Sequence, residues 1–173
     1  LQTSAGFGDR LGLATPGHVR SVRQFDAIAP VFAQQSVREN ARTGRTPQRV
    51  MDDATWGVFQ EGWRGPWGSD ADHLKTPADI ESFVAAGYTF YTIDPGEHVD
   101  NGAHTAPLVA LEAMVRALPW STLEDTLEGM EGRYLGRSFD LEGVNLTFER
   151  ETLWRAAAKY GRAVAHTAHM YRH

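Results

Sequence analysis

The sequence predicts an α/β fold in which parallel strands alternate with helices. Short runs of β-branched and aromatic residues alternate about four times with segments that carry helix start signals. Each strand-like run also ends in polar residues. Alternation of this kind implies a parallel sheet. Four such units would make half of a TIM-barrel-like (β/α) fold or a small doubly wound sheet.

The four predicted strands differ in how strongly their residues favour them. Tyr88 to Ile93 is β-branched and aromatic, and it breaks at an Asp-Pro-Gly turn. Gly6 to Ala14 and Pro30 to Gln35 are short apolar runs that carry polar residues at or near their ends. Ser69 to Lys75 is the weakest of the four, because its polar residues are also typical of a loop.

The helices of the first half are predicted from their start signals. Thr46 precedes Pro47, which places a threonine at the N-cap and a proline at the first helical position. Thr76 and Pro77 repeat this pattern. The Arg-rich segment 38–46 is predicted to be a polar connection. The predicted helices are His18 to Phe25, Thr46 to Trp63 and Thr76 to Gly87.

The second half of the sequence is predicted to be mainly helical. Pro107 to Leu118 is apolar, and Ser121 to Glu131 opens on a capping-box pattern. Phe139 to Phe148 alternates partly between apolar and polar residues, so it is either a strand or a connection. Thr147 to His173 is predicted to be a long terminal helix. Because that helix lacks a C-cap signal, and the chain opens almost directly on a strand, we expect a portion of a longer protein.

Composition limits the class of protein. The 173 residues suit a single α/β domain over residues 1–173, and 42% hydrophobic residues are enough for a core. A net charge of −5 argues against nucleic acid as the main partner. The sequence has no cysteine, which excludes disulfides and suits a cytoplasmic protein. It also has no apolar run of about 18 residues, so no membrane segment is expected.

Polar residues follow the predicted strands, and the strand ends of a barrel meet at one mouth. The mouth would hold carboxylates, imidazoles, cations and amides, a set that suits a polyhydroxylated anion. A histidine with an aspartate or glutamate would also suit a divalent metal. The residues at the four strand ends are Asp9 and Arg10, Gln34 and Gln35, Asp70 to Lys75, and Asp94 to His98.

The histidines allow more than one interpretation. With Asp94 and Glu97, the imidazoles of His98 and His104 could bind a metal, although one loop rarely completes a site. Alternatively His98 binds substrate or caps a helix, and His104 lies at the surface. His166, His169 and His173 share a helix face, which is typical of a solvated or packing face.

Six uncommon phrases, spread in order along nearly the whole chain, resemble the tagaturonate/fructuronate epimerase family, whose relatives include enzymes that interconvert fructose and tagatose. The phrases are GFGDRLGLATPGH, VFAQQSVREN, DDATWGVFQEGW, GSDADHLKT, FYTIDPGEHV and the closing YGRAVAH with MYRH.

The resemblance implies a metal-dependent epimerase of keto-sugar acids on a TIM-barrel-like fold. It implies catalytic roles for Asp94, Glu97 and His98, and metal binding by Asp94 and His98, with the remaining ligands beyond His173. The metal would be Mn, Ni, Zn or similar. The substrate-binding residues implied are Asp9, Arg10, Gln34, Asp72, His73 and Lys75.

The chemistry of the reaction narrows the mechanism. The inverted carbon lies β to the ketone, so its proton is not acidic and simple enolisation cannot exchange it. Retro-aldol cleavage with re-addition, or transient oxidation by a nicotinamide, would invert it. Neither GxGxxG nor GxxxxGK[ST] occurs, so no nicotinamide cofactor is expected and retro-aldol chemistry is favoured.

Two further classes of function stay open. The chain could be an inactive binding or assembly module, with self-association through exposed sheet edges. It could also be a metal-dependent aldolase or hydrolase on the same fold. Under the favoured interpretation the partner is a small keto-sugar acid, with no nucleic acid and no membrane.

Overall fold

A computed structural model describes residues 3–25 and 27–173. The chain forms two compact units, Leu1–Asp94 (unit 1) and Pro95–His173 (unit 2), which are described separately. The single-domain interpretation of residues 1–173 stays a prediction. In the described ranges, no helix is both long and apolar enough to cross a membrane.

Unit 1 is built on a parallel sheet. Its described part holds four strands in the order β1-β2-β3-β4, and each neighbouring pair is parallel. The strands are β1 (Ser4–Gly8), β2 (Ala29–Ser36), β3 (Gly68–Leu74) and β4 (Phe90–Ile93). The predicted α/β class and parallel sheet are therefore confirmed. The first strand ends at Gly8 rather than at Ala14, because Asp9 draws the following residues into a loop.

Helices follow or precede each strand of unit 1. They are α1 (Thr15–Val22), α2 (Val37–Thr43), α3 (Pro47–Gln60) and α4 (Pro77–Ala85). Both predicted threonine caps are confirmed. Thr46 Oγ1 accepts a hydrogen bond from the Arg49 backbone N–H, and Thr76 forms a reciprocal capping box with Asp79.

Helix α2 corrects the prediction that residues 38–46 are only a connection. Ser36 at the end of β2 accepts a hydrogen bond from the Glu39 backbone N–H and so caps the helix. Gly44 ends the helix with φ of 65°, a left-handed conformation that glycine adopts without strain. The helix was missed because the segment is polar throughout, whereas the residues that define the helix, Ser36 and Gly44, lie at its two ends.

The core of unit 1 surrounds a polar central strand. Phe32 of β2, Leu74 of β3 and Phe83 of α4 are fully buried. Strand β3 lies between β2 and β4, which confirms the weakest of the four strand predictions. Its polar residues are tolerated because neighbouring strands supply hydrogen-bond partners for Asp70.

Unit 2 is mainly helical. Its described helices are α5 (Leu108–Arg116), α6 (Trp120–Leu123), α7 (Leu127–Tyr134) and α8 (Arg150–Arg172), with 3₁₀ turns at Gly96–His98 and Asn101–His104. Its core includes Leu111 and Val115 of α5 with Leu153 and Trp154 of α8. The long terminal helix is therefore confirmed, although it begins at Arg150.

The helix predicted over Ser121 to Glu131 is wrong as one element. Glu124 has φ of 54°, which ends α6 after a single turn. Thr126 then caps α7 by accepting a hydrogen bond from the Gly129 backbone N–H at 2.9 Å. The capping-box pattern at Ser121 competes with this second cap, and the second cap starts the longer helix.

The segment that alternates between Phe139 and Phe148 is an antiparallel hairpin. Its strands are β5 (Ser138–Leu141) and β6 (Val144–Thr147). Glu142 and Gly143 form the two-residue turn, with φ of 52° and 89°. Positive φ at both turn residues is the type I′ pattern, whose twist matches that of the flanking strands.

Candidate functional site

A cavity of about 440 Å³ opens where the strands of unit 1 end. Because the strands are parallel, their carboxyl ends meet at one edge of the sheet. Four of the predicted substrate-binding residues line this cavity: Arg10, Gln34, Asp72 and His73. The remaining lining residues are Gly8, Gln35, Ser36, Arg38 and Glu39. Residues from three strand ends are thus brought together as the sequence predicts.

A second cavity of about 240 Å³ shares lining residues with the first. It adds Lys75 and Asp94, whose Nζ and Oδ2 atoms lie 4.0 Å apart. Asp94 also extends the sheet, because its backbone N–H donates to the Leu74 carbonyl. The carboxylate of Asp94 and the ammonium of Lys75 therefore both stand at the carboxyl edge of the sheet.

Three guanidinium groups converge on one carboxylate beside the larger cavity. Glu39 lies 3.3 Å from Arg10 Nε, 3.5 Å from Arg38 Nε and 2.9 Å from Arg42 Nη1. Its side chain is only 12% exposed, whereas those of Arg10 and Arg38 are 71% and 69% exposed. One carboxylate cannot pair fully with three guanidinium groups, so the exposed guanidinium groups of Arg10 and Arg38 can also bind an anion.

Asp72 and His73 form a pair at the end of β3. His73 Nδ1 lies 2.8 Å from Asp72 Oδ2. His73 also has φ of 58°, which is unusual for a residue other than glycine, and the β3–β4 register shifts here. Such local strain re-aims a side chain and is common at functional sites. Here His73 lines both cavities.

Gln34, Asp70 and Thr92 form a hydrogen-bonded row across β2, β3 and β4. Gln34 Nε2 donates to Asp70 Oδ2 at 2.7 Å, and Thr92 Oγ1 donates to Asp70 Oδ1 at 2.9 Å. Asp70 is only 5% exposed. Burial raises the pKa of the Asp70 carboxyl above its ordinary value, although the two donors act in the opposite direction.

Asp9 organises the loop that carries Arg10. Its carboxylate accepts hydrogen bonds from the backbone N–H groups of residues 11–15, at 2.7 to 3.3 Å. Burial alone would raise its pKa, but these hydrogen bonds outweigh burial and lower it. Arg45 donates to the Asp9 carbonyl and pairs with Asp53 at 2.7 Å. The substrate-binding role of Asp9 stays a prediction, whereas its contacts make it a loop-positioning residue.

Glu97 and His98 lie in unit 2, on its first 3₁₀ turn. The His98 ring stacks on the His166 ring with centroids 4.0 Å apart. His166 thus fits the packing alternative for its helix face, while His104 is exposed. The catalytic roles of Glu97 and His98 stay predictions.

Comparison with known proteins places this chain in a family. The family model described as "UxaE: tagaturonate epimerase" matches residues 1–173. The chain belongs to the tagaturonate epimerase family. The resemblance seen in the sequence phrases is therefore confirmed.

Family relatives agree in sequence and in structure. The chain is 44% identical over 173 residues to the tagaturonate/fructuronate epimerase of Thermotoga maritima. It also matches crystal structures of the fructuronate-tagaturonate epimerase UxaE of Cohnella laeviribosi, one of them complexed with one glycerol, at 38% identity and a TM-score of 0.86. The native crystal structure of that enzyme gives a TM-score of 0.85. In these comparisons 99% of this chain is covered but only 34% of each relative.

The family resemblance implies a divalent metal, and the described part of the chain does not by itself group a complete set of ligands for one. Carboxylate and imidazole are suitable donors. However, within residues 3–25 and 27–173, no three histidine, aspartate or glutamate side chains are grouped closely enough to hold an ion. The predicted ligands Asp94 and His98 also belong to different units. Metal binding by these two residues stays a prediction.

Two charged residues that line the larger cavity were missed from the sequence. Arg38 and Glu39 line the larger cavity, yet they fall in the segment interpreted as a connection. The signal was present as Ser36 followed three residues later by Glu39, a capping-box spacing directly after a strand. That spacing indicates a helix whose first turn lies at the strand end.

Proposed function

We propose that this chain carries part of the active site of a sugar-acid epimerase that interconverts tagaturonate and fructuronate. Membership of the tagaturonate epimerase family is the main support. The single structural observation behind the proposal is the cavity at the sheet edge, which combines cations, amides and an Asp–His pair. Such a combination suits a substrate with one carboxylate and several hydroxyls.

The exposed guanidinium groups beside Glu39 are the proposed site for the substrate carboxylate. Arg10 and Arg38 have exposed guanidinium groups that can each make paired hydrogen bonds to a carboxylate. Gln34, Asp72 and His73 then face the sugar hydroxyls from the same cavity.

The proposed reaction is retro-aldol cleavage followed by aldol re-addition. A base removes the proton of the hydroxyl on the inverted carbon, and the bond between that carbon and its neighbour next to the ketone breaks. The inverted carbon becomes an aldehyde, and the bonding electrons form an enediolate with the former ketone. Rotation of the aldehyde and attack on its opposite face restore the bond with inverted configuration. The base returns its proton to the new hydroxyl, so all atoms and electrons balance.

Asp94 is the proposed base, because its carboxylate stands at the sheet edge in the smaller cavity. Lys75, in the same cavity, is proposed to stabilise the negative charge that develops on the ketone oxygen. Glu97 and His98 follow Asp94 closely in sequence and are proposed as further proton carriers.

Three expectations from the sequence are kept as parts of the proposal. A divalent metal such as Mn, Ni or Zn would polarise the ketone, and ligands other than Asp94 and His98 would complete its site. The parallel sheet would belong to a TIM-barrel-like fold, which the sequential strand order supports. A cytoplasmic location and self-association through sheet edges stay predictions.

Conversion of tagaturonate to fructuronate tests the proposal directly. The protein is incubated with tagaturonate and Mn²⁺, Ni²⁺ or Zn²⁺, and product is measured by chromatography. Asp94→Asn is expected to lower the rate by at least about 100-fold, within the range for a lost general base. Asp140→Asn, in the exposed hairpin, is the matched control and should keep the activity of the unmodified protein. An Asp94→Asn protein of full activity would remove Asp94 from the mechanism.

Isotope labelling separates the proposed route from one that exchanges the hydrogen of the inverted carbon with solvent, whereas transient oxidation by a nicotinamide would also retain that hydrogen. Retro-aldol chemistry retains the original hydrogen on the inverted carbon, so reaction in D₂O should leave that carbon free of deuterium. Release of three-carbon fragments without re-addition would indicate an aldolase instead. Deuterium at the inverted carbon would contradict the retro-aldol route while leaving the epimerase assignment intact.

A further inference from the structure

The carboxamide of Gln34 is held from two sides at the floor of the larger cavity. On one side Gln34 Nε2 donates to Asp70 Oδ2 at 2.7 Å. On the other side it lies against the backbone of Gly6 in β1. A Cβ atom at Gly6 would be 2.3 Å from Gln34 Oε1 and 2.5 Å from Gln34 Nε2. Any side chain at position 6 would therefore displace Gln34.

Asp70 determines which end of the carboxamide faces it. An ionised carboxylate only accepts hydrogen bonds, so it selects the NH₂ end of Gln34 and turns the carbonyl oxygen away. Thr92 Oγ1 donates to the other Asp70 oxygen at 2.9 Å, which fixes the carboxylate itself. Because both oxygens have donors, Asp70 has one preferred orientation.

Asp70 is too deeply placed to meet a substrate itself. It is 5% exposed and lines neither of the two cavities at the sheet edge, whereas Gln34 lines the larger one. Of its two side-chain hydrogen-bond partners, Gln34 lines that cavity and Thr92 does not, so Gln34 is the hydrogen-bonded link from Asp70 to a bound sugar.

We propose that Asp70 and Gly6 are positioning residues that hold the Gln34 carboxamide in one orientation, with its carbonyl oxygen available to a sugar hydroxyl. This inference rests on the proposed function for the identity of the sugar. The restraint on Gln34 itself can be tested without any substrate. A fixed acceptor favours a hydroxyl donor at one position of the sugar, because the carboxamide needs no reordering when the substrate binds.

The orientation of Gln34 is tested by crystal structures and by NMR of its side-chain NH₂ group. In the unmodified protein, one slowly exchanging NH₂ signal pair is expected. Asp70→Asn can donate as well as accept, so it should allow the carboxamide to flip and broaden or split the signals. Gly6→Ala should displace the side chain without changing Asp70. Asp140→Asn in the exposed hairpin is the matched control, because it makes the same substitution without touching the Gln34–Asp70 hydrogen bond, and it should preserve one signal pair.

Unchanged Gln34 conformation in both Asp70→Asn and Gly6→Ala would overturn the inference. Thermal unfolding followed by circular dichroism identifies any variant that fails to fold. If Asp70→Asn does not fold, Gly6→Ala decides the question, since it acts on Gln34 from the opposite side.

A double-mutant cycle tests the consequence for binding, with tagaturonate affinity measured by calorimetry. Asp70→Asn should weaken binding by about tenfold, the scale of one lost hydrogen bond. In a Gln34→Ala background, the same change should alter the affinity by less than about twofold, because the group it acts through is gone. An equal loss in both backgrounds would show that Asp70 acts independently of Gln34 and would overturn the inference. Absence of binding to the unmodified protein would count against the proposed function, and the structural test would still decide the positioning of Gln34.

Discussion

Units 1 and 2 place their polar residues in different ways. In unit 1, parallel strands bring residues that are distant in sequence to one edge, so that Arg10, Gln34 and Asp72 line one cavity. In unit 2, the residues of interest are held by contacts within the unit, as in the stacking of His98 on His166. In unit 1 the topology of the sheet is therefore enough to bring these residues to one cavity. The role of a unit 2 residue depends on its individual contacts.

Cavities introduced into the two cores should have the largest effect on stability and should show whether the units unfold separately. Leu74 of unit 1 and Leu111 of unit 2 are both fully buried, so each Leu→Ala change is expected to cost about 3–5 kcal/mol of unfolding free energy. Hydrogen exchange measured residue by residue should show lost protection mainly in the unit that carries the change. Equal loss of protection in both units from either variant would mean that they unfold as one, and the division would then have no energetic meaning.

Removal of the Asp9 carboxylate should be the next largest effect, confined to unit 1. Asp9→Ala leaves the N–H groups of residues 11–15 without their acceptor and should cost about 2–3 kcal/mol, measured by urea unfolding. Asp9→Asn keeps one acceptor oxygen and should cost less. A loss no greater than that of an exposed Asp→Ala change, such as Asp140→Ala, would contradict this role.

The stability difference between the unmodified protein and Asp9→Asn should depend on pH, because folding lowers the pKa of Asp9. Its ordinary value is 3.8, and the folded value lies below this. The ionised carboxylate therefore stabilises the protein above the unfolded value, and the stabilisation is lost as pH falls through the folded value. The difference between the unmodified protein and Asp9→Asn should be full at roughly pH 6 and shrink below roughly pH 4.

Local signals could be predicted from the sequence, whereas long-range partners could not. Thr46 and Thr76 begin helices because their partners lie three residues away. The convergence of strand ends also followed from the alternation of strands and helices. By contrast, the burial of Asp70 depends on Gln34 and Thr92, which are 36 and 22 residues away in sequence. A local sequence pattern does not specify which residues of the neighbouring strands will contact a given strand.

The helix caps allow a comparison of the two units through a smaller effect on stability. Thr76 caps α4 in unit 1 and Thr126 caps α7 in unit 2, each through one side-chain oxygen. Thr→Ala at either position should cost about 1 kcal/mol, measured by chemical unfolding. Thr→Ser keeps the hydroxyl and serves as the control. The Thr76 backbone N–H still donates to Asp79 after Thr76→Ala, so a smaller loss at Thr76 than at Thr126 would show that this second hydrogen bond maintains the cap.

The hairpin turn of unit 2 should give the smallest effect and one of opposite sign. Glu142 has φ of 52°, a left-handed conformation that asparagine adopts more readily than glutamate. Glu142→Asn should therefore raise the unfolding free energy of the hairpin by about 0.5 kcal/mol, seen as slower hydrogen exchange in β5 and β6. Glu142→Ala is the control, since it removes the carboxylate without favouring positive φ. Equal gains from asparagine and alanine would attribute the effect to the lost charge, whereas a gain from asparagine alone would attribute it to the turn. The hairpin is held by its turn and its own cross-strand pairs, so this change should leave the cavity residues of unit 1 unaffected.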